Sequence, residues 1–206
     1  PLYAGVFWDV QNVLLEDVDR IEVISGPGGT LWGANAVNGL INIITKNARE
    51  TQGLFAQAGS GNQIPWSGNL RYGGTIGENI NYRVYGMGYK RANTSLTDGS
   101  KAKDAWSMGQ GGFRFDWDAK KNDHLTLQSD FYDAFPSADG ATGVVAIGGN
   151  VLGRWTHRIS DKSDFRIQGY YDQTWRDFLN GFTESLKTYD IDWQYRFQAG
   201  RRQELI

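Results

Sequence analysis

The sequence predicts a mainly β chain: about eight antiparallel strands forming part of a transmembrane β-barrel wall, preceded by a small α+β segment. Three observations predict it. From Gly53 onward the chain falls into strand-like stretches of similar length, and roughly ten residues is the length that crosses a bilayer when tilted. The connections alternate between tight turns and longer loops, as the two rims of an outer-membrane barrel require. Along several stretches, rings and aliphatic side chains alternate with charged ones, so each strand has one apolar and one polar face.

Residues 1–50 differ from the rest. Val13 to Val18 reads as a short helix, and Arg20 to Ile24 alternates as a strand does. Gly26-Pro27-Gly28-Gly29 marks a turn, Thr30 to Val37 a helix or helical turn, and Gly39 to Thr45 a second strand. The wall strands follow near 53–59, 66–76, 80–91, 105–117, 124–135, 150–159, 164–176 and 185–197. Between them 77–79, 118–123, 160–163 and 198–202 are short, whereas 92–104, 136–149 and 177–184 are longer. The closing Gln203-Glu204-Leu205-Ile206 reads as the opening of another strand, and the chain as a piece of a longer protein.

The faces sharpen the membrane reading. Phe165, Ile167, Tyr171, Tyr189, Ile191, Trp193 and Tyr195 are expected to face lipid; Arg166, Asp172, Asp190 and Asp192 are expected to face the lumen. Phe113, Phe115 and Trp117 precede one short turn, and Trp193, Tyr195 and Phe197 precede another. Rings gathered at one rim form an interfacial girdle. The stretch 80–91 fits less simply, because Arg83, Tyr85, Met87 and Tyr89 share one face.

Composition removes several function classes. Lys and Arg total 21 against 23 Asp and Glu, so no basic excess points to nucleic acid. Cysteine is absent, which excludes a disulfide scaffold, a thiolate metal site and a thiol nucleophile. Gly28 and Gly33 have phosphate-loop spacing, but Ala34-Asn35 follow where Lys-Ser/Thr would reach the phosphates. His124 and His157 lack a cluster of further ligands, so no metal and no cofactor is expected. Asp190 and Asp192 continue into Gln194 and Arg196 on one face, which reads as a wetted wall rather than an acid–base pair. No catalytic set can be assembled, and no enzyme is expected.

One stretch carries more information than the rest. Leu15-Glu16-Asp17-Val18-Asp19-Arg20-Ile21-Glu22-Val23-Ile24-Ser25-Gly26-Pro27 continues through Trp32-Gly33-Ala34-Asn35-Ala36-Val37-Asn38 to Gly39-Leu40-Ile41-Asn42-Ile43-Ile44-Thr45-Lys46. It resembles, without a gap, the end of the plug domain of TonB-dependent outer-membrane receptors. The resemblance implies that 1–50 is the C-terminal part of a plug and 51–206 the first strands of a barrel of about 22 strands. It also implies energised uptake of a scarce nutrient, commonly an iron–siderophore complex, across the outer membrane of a Gram-negative bacterium. The partners would be that ligand, outer-membrane lipid, and the TonB complex acting through a segment upstream of this sequence. Arg20 and Glu22 match family positions that fasten plug to barrel; Ser25 stands where many members carry Arg. In the family the loop ahead of this strand rises to the outward apex, so Tyr3, Phe7 and Trp8 are expected to touch ligand, with Asp9 a turn or cap residue. A passive porin or structural barrel is the alternative; it explains the strands but not the plug phrase. An outer-membrane enzyme and a soluble β-rich binding domain explain still less.

Overall fold

The structure, a computed structural model, describes residues 9–10, 12–28, 38–136, 143–179, 181–200 and 203–205. Tyr3, Phe7, Trp8 and the expected helical segment 30–37 lie outside the described residues. Among the described residues there are two antiparallel sheets. The smaller joins β1 (Val18–Ser25) to β2 (Gly39–Thr45), with Ile21 opposite Ile43 and Val23 opposite Ile41. The expected helix over Val13–Val18 contracts to one 3-10 turn, Leu15–Asp17, because Leu14 and Val18 on either side are already extended.

The larger sheet has nine strands in strict sequence order: β3 (Gly53–Gly59), β4 (Trp66–Ile76), β5 (Ile80–Arg91), β6 (Trp106–Lys120), β7 (Asp123–Pro136), β8 (Val144–Ser160), β9 (Ser163–Phe178), β10 (Thr183–Ala199) and β11 (Gln203–Leu205). All neighbours pair antiparallel, and β3 and β11 are its open edges. A second 3-10 turn, Ala48–Thr51, links the two sheets; Asn47 and Glu50 cap it reciprocally. Strand β8 starts earlier than its sequence suggests, so the expected loop 136–149 shrinks. Val144, Val145 and Ile147 pair with Phe178, Asp177 and Trp175. Gly148-Gly149 is carried inside the strand because the rings of Tyr132 and Phe131 occupy the space their side chains would take.

The register aligns side chains in rows across the strands. One outward row runs Trp117, Leu125, Trp155, Ile167, Trp193. Nearby rings meet at 6.0 Å (Tyr82 with Phe115), 6.0 Å (Trp155 with Phe165) and 5.7 Å (Tyr195 with Phe197). These all lie toward the tight-turn rim, where the sequence placed its girdle. The core sits between the wall's other face and the N-terminal segment, where Val10, Met108, Ala134 and Ala146 are buried together.

Candidate functional site

The inward face of the wall is where the chain places its buried polar groups, and the N-terminal segment is bonded to it. Alternation aims Arg71, Arg83, Tyr85, Met87, Tyr89, Gln110, Arg114 and Asp116 at that segment. Arg83 and Arg114 are direct partners across β5 and β6, a like-charge pairing that costs energy unless anions answer it.

Asp17 and Asp116 answer it. The 3-10 turn Leu15–Asp17 holds Asp17 against the wall, 2% exposed. Its carboxylate accepts from Arg71 Nη1 at 3.0 Å and pairs with Arg83 Nε at 3.3 Å. Arg83 also donates to the Lys46 carbonyl at 2.7 Å, and Arg114 donates to Thr45 Oγ1 at 3.2 Å. Arg114 grips Asp116 with two hydrogen bonds of 2.8 and 3.1 Å. Asp116 also accepts from the Ala48 amide at 2.8 Å and Thr126 Oγ1 at 2.7 Å, and His124 Nε2 lies 3.7 Å from it. One buried cluster therefore ties residues 17, 45, 46 and 48 to strands β4 through β7. Exposed Arg49 adds a pair to Asp118 at 2.7 Å. Close approach at this joint depends on Gly73, where a Cβ would stand 2.0 Å from the Thr51 carbonyl oxygen.

A second attachment lies at the long-loop end. Asp9, expected only to shape a turn, also takes both terminal nitrogens of Arg176 at 2.8 and 2.9 Å. Burial works against the Asp9 charge, but the hydrogen bonds and charge of Arg176 outweigh it and hold the carboxyl below the usual range. Val10 enters the apolar cluster, Asn12 Nδ2 donates to Met108 Sδ at 3.0 Å, and Gln110 donates to the Asn12 carbonyl at 3.2 Å. The mixed face of β5 is thus explained: Arg83 meets the ion cluster, while Tyr85, bonded to Gln110 and Asp130, and Tyr89 lie beside residue 12.

Arg20 and Glu22 do not join this cluster. Arg20 donates to Glu22 at 2.8 Å and to Asp19 at 2.7 Å, and Asn42 donates to Glu22 at 3.0 Å. The hydrogen bond from Arg20, with that from Asn42, holds the Glu22 carboxyl below its ordinary range. Both residues are on the face of the small sheet opposite Thr45, which faces Arg114. The two histidines each bond a carboxylate near the tight-turn rim, His124 to Asp118 at 2.8 Å and His157 to Asp123 at 2.7 Å. Asp192 pairs with Arg166 at 3.9 Å. Among the described residues no group of three or more His, Asp or Glu is placed to hold a metal ion. The site's chemistry is attachment: charged groups lock a small unit onto a wall.

No protein-family model matches the chain. It is 36% identical over 109 residues to the Ferric enterobactin receptor of Pseudomonas aeruginosa, a stretch covering 50% of this chain and 13% of that protein. It is 36% identical over 91 residues to the Catecholate siderophore receptor Fiu of Escherichia coli K12, covering 43% and 12% respectively. The Vitamin B12 transporter BtuB of Vibrio vulnificus is 38% identical over 53 residues, covering 26% and 9%. The matched stretches span about a tenth of the length of each of these curated relatives. These relatives are TonB-dependent receptors of the outer membrane. The crystal structure of the ferric-catecholate import receptor Fiu, in its open form, superposes with a TM-score of 0.67 over 88% of this chain and 34% of that one. Identity over that superposition is 18%, so the likeness establishes the fold. The antiparallel sheet has the architecture of that receptor's barrel, as an open part of the wall.

Proposed function

We propose that the chain is the C-terminal part of a plug (1–50) and the first strands of the barrel (51–206) of a TonB-dependent receptor. In this reading the receptor takes up an iron–siderophore complex through the outer membrane of a Gram-negative bacterium. The observation that carries the proposal is the placement of the Leu15–Lys46 phrase. Its two strands sit on the inward face of an antiparallel wall and are fastened there by Asp17 and the Arg83–Arg114 cluster. A passive pore has no use for such an attached unit. The siderophore is favoured over a vitamin because the two siderophore receptors match 50% and 43% of this chain, and the BtuB proteins of Vibrio 26% to 34%.

Asp9 and Val10 are seated at the long-loop end, which supports placing Tyr3, Phe7 and Trp8 beside the ligand at the outward mouth. Arg20 and Glu22, on the face turned from strands β4–β7, would meet wall strands that follow residue 206. TonB would act through a segment ahead of residue 1.

Growth on ferric enterobactin as sole iron source tests the proposal. Deleting the gene, or removing TonB from an intact strain, abolishes uptake of radio-iron-labelled ferric enterobactin or of a second ferric catecholate. Uptake that survives loss of TonB would turn the reading toward a passive barrel. Single changes of Tyr3, Phe7 and Trp8 to Ala weaken ligand binding in a folded receptor; unchanged affinity in all three removes that site.

A further inference from the structure

We infer that His124, with a proton on both ring nitrogens, is a proton-dependent latch on the segment that joins the two sheets. The inference rests on the reading of the inward cluster as the joint that fastens a small unit to a wall. The latch sits at the tight-turn rim, the periplasmic side of such a wall. His124 is the second residue of β7, and alternation turns it inward, opposite Asp118 of β6 and Thr156 of β8.

Both ring nitrogens face acceptors. Nδ1 lies 2.8 Å from Asp118 Oδ1. Nε2 lies 3.7 Å from Asp116 Oδ1 and 3.5 Å from Thr126 Oγ1. The Thr126 hydroxyl has one proton, which it donates to Asp116 Oδ1 at 2.7 Å. Its oxygen therefore meets Nε2 with a lone pair. A neutral imidazole carries one N–H and one lone pair. Whichever tautomer it takes, one nitrogen then points its lone pair at an acceptor. The imidazolium donates on both sides.

What the ring holds is what holds the linker. Asp116 accepts from the Ala48 amide at 2.8 Å, and Asp118 pairs with Arg49 at 2.7 Å. These two carboxylates share one face of β6 two residues apart, and the ring contacts both. In the linker the amides of Asn47, Arg49 and Glu50 bond locally, within 47–50, whereas that of Ala48 crosses to the wall. Other charges surround the ring without replacing it. Arg114 is held by Asp116, Arg154 by Gln168, and Arg166 pairs with Asp192. Lys120, Lys121 and Arg158 line the cleft beside the ring, Lys120 opposite Asp123 and Arg158 opposite Asp164. Asp123 is bonded to His157, and Glu78 and Asp161 lie in turns of the same rim. The ring's direct partners are Asp116, Asp118 and Thr126.

The test is hydrogen exchange of the whole receptor in lipid vesicles. It is read by mass spectrometry on peptides covering residues 46–52 and corrected for the intrinsic rate at each pH. Ordinary carboxylates stay ionised at about pH 5.5 and about pH 8, while a histidine ring changes charge between them. The ring's contact is complete on the acid side of its titration and lost on the alkaline side. Protection of the Ala48 amide is expected to be about fivefold higher at the lower pH. His124→Gln, neutral throughout, loses the step; His124→Arg, charged throughout, keeps the higher protection at both values; His157→Gln leaves the step in place. Protection that is high and equal at both values in the parent protein overturns the proposal, and this arm needs no variant to fold. A step that survives in folded His124→Gln overturns it as well. Protection that is low at both values and no lower in Asp116→Asn overturns the proposal together with the attachment on which it rests.

Discussion

The two faces of the nine-stranded sheet follow opposite rules. Inward, charged side chains are buried: Asp116 is 2% exposed, Arg176 4% and Arg83 6%. Outward, large apolar side chains are bare: Ile191 is 78% exposed, Tyr189 73% and Trp193 69%. In water both choices would be penalised, the first as unrecovered desolvation and the second as exposed apolar area. Lipid outside and a polar partner inside reverse the second penalty and offset the first. What a wall strand is against, and not whether it is inside, decides its side chains.

The comparison breaks most sharply at Asp17. Asp17→Ala strips Arg71 and Arg83 of their shared anion while Arg114 stays beside them. The loss is expected to be roughly 3–5 kcal/mol, as for a buried pair deprived of one partner. Chemical denaturation of the protein in lipid vesicles, followed by Trp fluorescence, measures it. The control is Glu22→Ala, whose exposed pair with Arg20 should contribute nothing measurable. Equal effects at the two sites would mean that the inward cluster is no more than surface charge.

The next test compares neighbouring positions on one strand. Ile191→Arg places a charge on the outward face and should cost roughly 2–4 kcal/mol near mid-bilayer. Thr188→Arg, on the inward face opposite Asp172, should cost less than about 1 kcal/mol. The same denaturation assay in vesicles ranks them. Equal costs would remove the assignment of faces.

Much of this division was legible in the sequence because alternation is local. The expected strands 53–59, 66–76 and 80–91 coincide with β3, β4 and β5, and Gly39–Thr45 with β2. Tyr189, Ile191, Trp193 and Tyr195 alternate with charge closely enough that neighbouring residues alone assign their face. What was not legible depends on register and on contacts between distant segments. Gly148-Gly149 reads as loop until β7 brings Tyr132 and Phe131 over it. Arg83 and Arg114 are ordinary strand residues until pairing sets them opposite one another and requires an anion. That anion, Asp17, lies 54 residues before Arg71 in a stretch noted for its resemblance to a family rather than for its chemistry. Asp9 lies in a turn as expected, but its pairing was hidden for the same reason, since Arg176 is 167 residues away.

Glycines offer a finer measure of the two faces. Gly73→Ala forces a methyl against the Thr51 carbonyl, 2.0 Å away, where the linker between the sheets crosses the wall. Either backbone must shift, at roughly 1–3 kcal/mol. Gly153→Ala meets nothing within 4 Å and should be neutral within about 0.5 kcal/mol. Thermal unfolding of the two variants in the same lipid separates a glycine required by packing from one that is not.

The smallest expected effect concerns acid. Asp9 is ionised more readily in the folded chain than in the unfolded one, because its two hydrogen bonds to Arg176 outweigh partial burial. The unfolded carboxyl titrates near 3.9, so above that value the pair contributes its full stabilisation. As pH falls through the lower folded value, protonation removes the charge and the contribution disappears. The Asp9 side chain is 38% exposed, so screening holds the effect to about 1 kcal/mol or less. The attachment is local to the N-terminal end, and the expected readout is local too. Protease cleavage ahead of Val10 should rise in Asp9→Asn at neutral pH and be the same in variant and parent well below pH 3.9. A difference that persists in acid would show that Asp9 acts through the shape of its turn and not through its charge, and would leave Arg176 to be held by other groups of the inward face.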